Sequence, residues 1–138
     1  MGQKNSSGVI GYEEVQRYQK DPNTIIINTL PADKQGCLIA GTLSAQQEEQ
    51  SINALLRSKK TGSILVYGEN SSDLSSGRKH RQLRALGFPN VIEYRGGLFE
   101  WLLLQEVYGD ADFQTTSPQI DILKYGPRRT QALAITQF

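Results

Sequence analysis

Apolar and polar positions change period several times along the chain, and each change marks an element. Tyr12, Val15 and Tyr18 recur at helical spacing over Tyr12 to Lys20, with Glu13 and Glu14 in the first turn, where the helix dipole favours acids. Asp21-Pro22-Asn23 stops that helix. Thr24-Ile25-Ile26-Ile27-Asn28 is then a β-branched run without alternation, the pattern of a strand covered on both faces. A short strand is predicted at Cys37-Leu38-Ile39, between Gly36 and Gly41. Gln46 to Leu56 reads as a helix with Ile52, Leu55 and Leu56 on one face. After the Thr61-Gly62 turn, Ser63-Ile64-Leu65-Val66-Tyr67 is the clearest strand of the sequence.

From Gly68 to Gly77 the chain is polar and reads as a loop, with a helix from about Arg78 to Leu86 that turns Leu83 and Leu86 inward. Gly87 ends this helix in the left-handed conformation. Asn90 to Tyr94 is a further strand, and Gly96-Gly97 turns into an apolar helix over Leu98 to Tyr108. Strands alternating with helices at this spacing imply βαβ units, hence an α/β domain whose mainly parallel sheet carries helices on both faces. Residues 1–10 read as a flexible polar arm, 11–108 as the domain, and 109–138 as an extension that packs on the domain or on a partner. In that extension Ile120, Leu123 and Tyr125 follow Ser117-Pro118, where proline suits a first helical turn, and Arg128-Arg129 and Ala132-Leu133-Ala134-Ile135 come last.

Composition narrows the chemistry. At 138 residues the chain can bury a core without staples, and 38% apolar and 21% charged residues are ordinary for a globular domain. Fifteen Lys and Arg against fourteen Asp and Glu leave +1, so no global field draws the protein to nucleic acid. Cys37 is the sole cysteine and His80 the sole histidine, which excludes an internal disulfide and argues against a multi-thiolate or histidine-rich metal site. The longest apolar runs, such as Trp101-Leu102-Leu103-Leu104, fall far short of a membrane span, and the first residues lack a secretory signal pattern. A cytoplasmic domain without cofactor or metal is the expectation.

From Ile64 to Trp101 the order of elements becomes specific. A buried strand ends in a loop, a helix ends in Leu86-Gly87-Phe88-Pro89-Asn90-Val91, and a strand runs into Arg95-Gly96-Gly97 with Trp101 four residues on. This resembles the second half of a rhodanese-like (sulfurtransferase) domain. Upstream, Ile26-Ile27-Asn28-Thr29 resembles the first buried strand of that family, and Gly36-Cys37-Leu38-Ile39-Ala40-Gly41-Thr42-Leu43 resembles its Gly-His-Ile-Pro-Gly-Ala segment. The same residues have structural reasons of their own: Gly87 supplies a helix exit, Gly96-Gly97 a sharp turn, and Trp101 a large ring for the core.

The resemblance implies a cysteine directly after the strand Ile64–Tyr67, in a loop whose amides and following helix stabilise a thiolate and then a persulfide. Gly68 stands there instead, and no catalytic residue is assigned. Glu69 and Asp73 fall where an anionic intermediate would sit and would oppose a thiolate. Ser71, Ser72, Ser75 and Ser76 cannot form a persulfide, and Cys37 lies at the family's histidine position, flanked by Leu38 and Ile39 as a small buried hydrophobe.

Two other signals remain. Arg78-Lys79-His80-Arg81 with Arg84 concentrates positive charge after the loop, so Gly68, Ser71, Ser72, Ser75, Ser76, Gly77 and Arg78 form a candidate anion or ligand loop, the alternative being a solvated helix face. Gly2 followed by Ser6 fits the N-myristoylation pattern, and a single acyl chain gives only weak, reversible tethering to a membrane. Three readings stand open: a catalytically inactive rhodanese-like module that binds a protein or anionic ligand; a sulfurtransferase or related hydrolase with a non-standard nucleophile such as Cys37 or a loop acid; and a membrane-associated adaptor acylated at Gly2.

Overall fold

The computed structural model describes residues 8–58 and 62–127. The arm before Gly8 and the segments at Arg128-Arg129 and Ala132 to Ile135 lie outside the described residues. Four strands, β1 (Val9–Ile10), β2 (Thr24–Asn28), β3 (Ser63–Tyr67) and β4 (Val91–Tyr94), form one parallel sheet in the order β1-β4-β3-β2. Helices α1 (Tyr12–Gln19), α2 (Ala45–Arg57), α3 (Ser75–Ala85) and α4 (Gly97–Tyr108) connect or follow them.

The unalternating strands are covered on both faces, as their composition requires. Ile26, Leu65, Tyr67, Ile92 and Tyr94 point to one side, where they meet Val15 of α1 and Leu98, Trp101 and Leu102 of α4. Ile27, Ile64, Val66 and Val91 point to the other, with Leu83 of α3 and the partly buried Ile52 and Leu55 of α2. Trp101 is fully buried, stacks edge-on against Tyr94 and Phe113 at 6.3 and 5.0 Å between ring centroids, and donates its indole N–H to Gln114 O at 3.0 Å. That bond satisfies the ring's polar atom and ties the C-terminal extension to the domain.

The structure departs from the sequence reading at four places. Val9 and Ile10, placed in the arm, pair with Glu93 and Tyr94 as an edge strand; two residues are too few for any periodic signal. Cys37 to Ile39 form no strand of the sheet. The segment crosses the sheet's end and pairs with the C-terminal extension, with Thr116 N donating to Leu38 O and Ala40 N to Gln114 O. Leu86 and Leu56 are exposed, because Phe88 fills the buried position that Leu86 was expected to take and α2 turns Ile52 and Leu55 inward. In the extension, a 3-10 turn forms over Ile122–Tyr125, not at Pro118; Tyr125 is buried while Ile120 and Leu123 face outward. Among the described residues no helix is long and apolar enough to cross a membrane.

Tyr67 joins the sheet to the crossing segment. Its buried hydroxyl accepts the Ile39 N–H at 3.0 Å and meets Thr42 Oγ1 at 2.8 Å, while Thr42 donates to Ile39 O at 2.6 Å. Burial pushes the phenol well above its ordinary value, more than the bonds from Thr42 and Ile39 lower it. Tyr67→Phe leaves a buried amide unpaired and should cost about 1–3 kcal/mol in denaturant unfolding, with the Ile39 amide exchanging faster with solvent. An unchanged midpoint with an unchanged Ile39 exchange rate would refute this role.

Candidate functional site

In a parallel sheet the loops at the carboxyl ends of the strands converge at one edge, and ligand sites form there. Here the loop 68–74 leaves β3 and enters α3. It is bound from two sides. Gly68 O and Glu69 O accept the amides of Leu98 and Phe99 at 3.0 and 2.9 Å, so the loop's carbonyls cap the first turn of α4. This close approach requires Gly97, whose φ is +75°; a Cβ there would stand 2.8 Å from Gly68 O and 2.9 Å from Asn70 N.

On the inner side the loop closes on its own carboxylate. Asp73 Oδ2 accepts the Glu69 amide at 3.0 Å, and Asp73 Oδ1 accepts the Ser75 amide at 2.9 Å at the start of α3. A Cβ on Gly68 would lie 2.7 Å from Asp73 Oδ2 and 3.1 Å from Thr29 Oγ1. Gly68 does not have a positive φ, so its backbone would accept a side chain; the Asp73 carboxylate fills the space. Burial alone would raise the Asp73 pKa, but the amides of Glu69 and Ser75, the Ser75 hydroxyl and the charge of Arg78 outweigh it and hold the carboxyl below its ordinary value.

Two further polar side chains of the loop are engaged as well. Asn70, buried, accepts the Ser72 amide at 2.9 Å and donates to Tyr125 O at 2.7 Å. Glu69 forms an ion pair with Lys34, which also donates to Lys124 O at 3.0 Å. The expected serine cluster does not converge. Ser75 shares a hydrogen bond with Thr29 at 2.7 Å, Ser76 donates to Glu93 Oε2 at 2.8 Å beneath α3, and Ser71 and Ser72 are exposed. The helix begins at Ser75 instead of about Arg78, because Asp73 caps the Ser75 amide. Gly77 and Arg78 therefore lie inside the helix, with Arg78 N already donating to Leu74 O at 3.1 Å. Of the two acids expected at the position of an anionic intermediate, Asp73 is there, while Glu69 turns to Lys34.

Cys37 is buried in the core on the α1 and α4 side and donates its thiol to Ser117 O at 3.2 Å. Burial raises its pKa against weaker opposing hydrogen bonds from Thr115 and Ser117, so it is a thiol at neutral pH. Gly2 lies outside the described residues.

Residues 12–104 match the rhodanese-like domain, two thirds of the chain. The chain belongs to the rhodanese-like family. Among solved structures, the rhodanese-like chain is similar to the Alr3790 protein from Anabaena (22% identity, 94% of each chain covered, TM-score 0.57). It is also similar to yeast Ygr203w, described as a protein tyrosine phosphatase of the rhodanese family (19% identity, 83% of this chain and 95% of that one, TM-score 0.53). At these identities the likeness shows the fold. No curated protein matches the chain. Thus Gly68 stands in a rhodanese-like domain at the end of β3, with an aspartate beside it.

Sequence reasoning missed Asn70, Thr29, Lys34 and Glu93. Glu93 alone left a signal, an acid in the otherwise apolar strand Val91–Tyr94; it is buried and bonded to Ser76 and, at 3.3 Å, to Arg95. The others are polar residues in loops, and their pairing is set by distant segments.

Two outcomes test the Asp73 plug. Gly68→Ala should destabilise by about 1–3 kcal/mol by displacing Asp73 from its amides, and by under about 1 kcal/mol when Asp73→Ser is already present. Equal costs in both backgrounds would rule the contact out. Because the Asp73 pKa is lowered in the fold, its stabilisation is present above the ordinary value of 3.8 and is lost as pH falls through the folded value. The stability gap between wild type and Asp73→Asn should therefore narrow on acidification below that value; a gap independent of pH would contradict the assignment.

Proposed function

We propose that this rhodanese-like domain acts by binding and does not transfer sulfur. One observation carries the reading: the amides that begin the loop and α3 hold the Asp73 carboxylate, and that carboxylate occupies the space into which a side chain at position 68 would project. A sulfur nucleophile there needs a Cβ, and it needs the amides for its own negative charge. Glycine supplies no atom to carry sulfur, and Asp73 places a negative charge where a thiolate or persulfide would form.

The loop's other groups support the same reading. The amides of Glu69 and Ser75 are bonded to Asp73, so a small anion at them would have to displace a covalently tethered carboxylate with no entropy of association to overcome. Contact at the former catalytic loop is assigned to its exposed rim, Ser71, Ser72 and Arg78, and the class of ligand is a protein surface. A sulfurtransferase or hydrolase using Cys37 is disfavoured by the thiol's burial and its bond to Ser117 O. A cytoplasmic module, tethered to a membrane where Gly2 is acylated, belongs to the same proposal.

In a thiosulfate-to-cyanide assay the protein should give no rate above buffer, and Cys37→Ala should change nothing. Turnover that Cys37→Ala abolishes would establish an enzyme and overturn the proposal.

A further inference from the structure

Helix α3 holds four of the fifteen Lys and Arg of the chain (Arg78, Lys79, Arg81, Arg84) and none of its fourteen Asp and Glu. Two of its basic side chains are used by the fold: Lys79 pairs with Glu48 of α2 at 3.1 Å, and His80 Nε2 meets Val91 O at 2.9 Å. Arg78, Arg81 and Arg84 are exposed and form no ion pair with any described residue. The acids beside Arg78 and Arg81 are committed elsewhere. Asp73, whose charge Arg78 supports, is bonded to two amides, and Glu93 beside Gly77 and Arg81 is bonded to Ser76 and Arg95. Like charges three residues apart on a helix repel, and Arg78 in the first turn opposes the helix dipole. Apart from the support that Arg78 lends Asp73, no ion pair among the described residues uses the three charges.

The row also has an apolar start. Leu74, Arg78, Arg81 and Ala85 recur at steps of four, three and four, which makes one outward stripe, and all four are exposed. Leu74, at its start, is 72% exposed. The groove of about 280 Å³ between α2 and α3 opens on another side of the helix, lined by Lys79, Gln82, Leu83 and Leu86 and, on the α2 side, by Glu48 and Glu49.

We propose that this face docks a short acidic segment of a partner protein. Carboxylates of that segment would engage Arg78, Arg81 and Arg84, and one apolar side chain of it would pack on the exposed Leu74. The inference rests on the binding reading above and names the partner's chemistry. Guanidinium forks match carboxylates in pairs, which a row of arginines favours over lysines. The three arginines span about 9 Å of helix at 1.5 Å per residue, and the acidic wall of α2 bounds them, so the face suits a few charges and repels a long polyanion.

The test is a titration of the isotope-labelled full-length protein with a synthetic peptide of six glutamates followed by two leucines, at low salt, read by amide shifts. Shifts should follow Leu74 and the arginine face of α3. Binding should weaken at least about tenfold in the Arg78→Gln, Arg81→Gln, Arg84→Gln triple variant and in high salt, because the contact is carried by exposed charges. Leu74→Glu should weaken it too, while both variants keep the wild-type helix content by circular dichroism, since all four side chains are exposed. Absence of shifts, or equal binding by the triple variant, would overturn the proposal. Tighter binding at the same residues by single-stranded DNA or by phosphatidylserine vesicles would refute a protein segment as occupant. Thiosulfate turnover measured on the same samples reports separately on the binding reading, so either claim can fail without the other.

Discussion

The contact between the Asp73 carboxylate and the space above Gly68 governs the whole loop. Two amides, from Glu69 and Ser75, point at one carboxylate, and those bonds fix where the loop turns and where α3 begins. A side chain at position 68 would have to push the carboxylate aside, because its oxygen stands 2.7 Å from the place of the missing Cβ. Glycine and aspartate are thus one structural unit. Bonds between ionised carboxylates and backbone amides are stronger than neutral ones, about 1.5–3 kcal/mol each, so the pair is a rigid feature of the site.

Around that unit the site is tied down from three directions. Gly97 lets the loop's carbonyls reach the amides at the start of α4, Lys34 holds Glu69, and Asn70 donates to the Tyr125 carbonyl of the C-terminal extension. The extension is itself anchored through Trp101 and Gln114. A catalytic cradle must present unpaired donors to a reacting group. In this loop the amides of Glu69 and Ser75 are bonded to Asp73 of the same chain, and the exposed parts are a serine rim and the arginine row of α3.

Two rows of polar residues that look alike in the sequence therefore end up with different roles. Ser75 and Ser76 are consecutive, yet one bonds Thr29 on the inner side of the loop and the other bonds the buried Glu93 beneath α3. Lys79 and Arg81 are two apart, yet one is held by Glu48 while the other forms no ion pair among the described residues. Helical geometry alone separates them, since successive side chains point about 100° apart and meet different neighbours.

The fold was legible in the chain because strands buried on both faces must be continuously apolar, and Thr24–Asn28 and Ser63–Tyr67 are. The place of Gly68 directly after β3 was legible too, because the order of elements fixes where that strand ends. The edge strand Val9–Ile10, the course of Cys37 to Ile39 across the sheet and the partners of Asn70 and Lys34 were not. Each depends on a segment tens of residues away, and local period carries no information about such pairings. The position of Asp73 lies between these cases: its charge was readable as unfavourable to a thiolate, but only the folded loop turned that charge inward and placed it in the space beside Gly68.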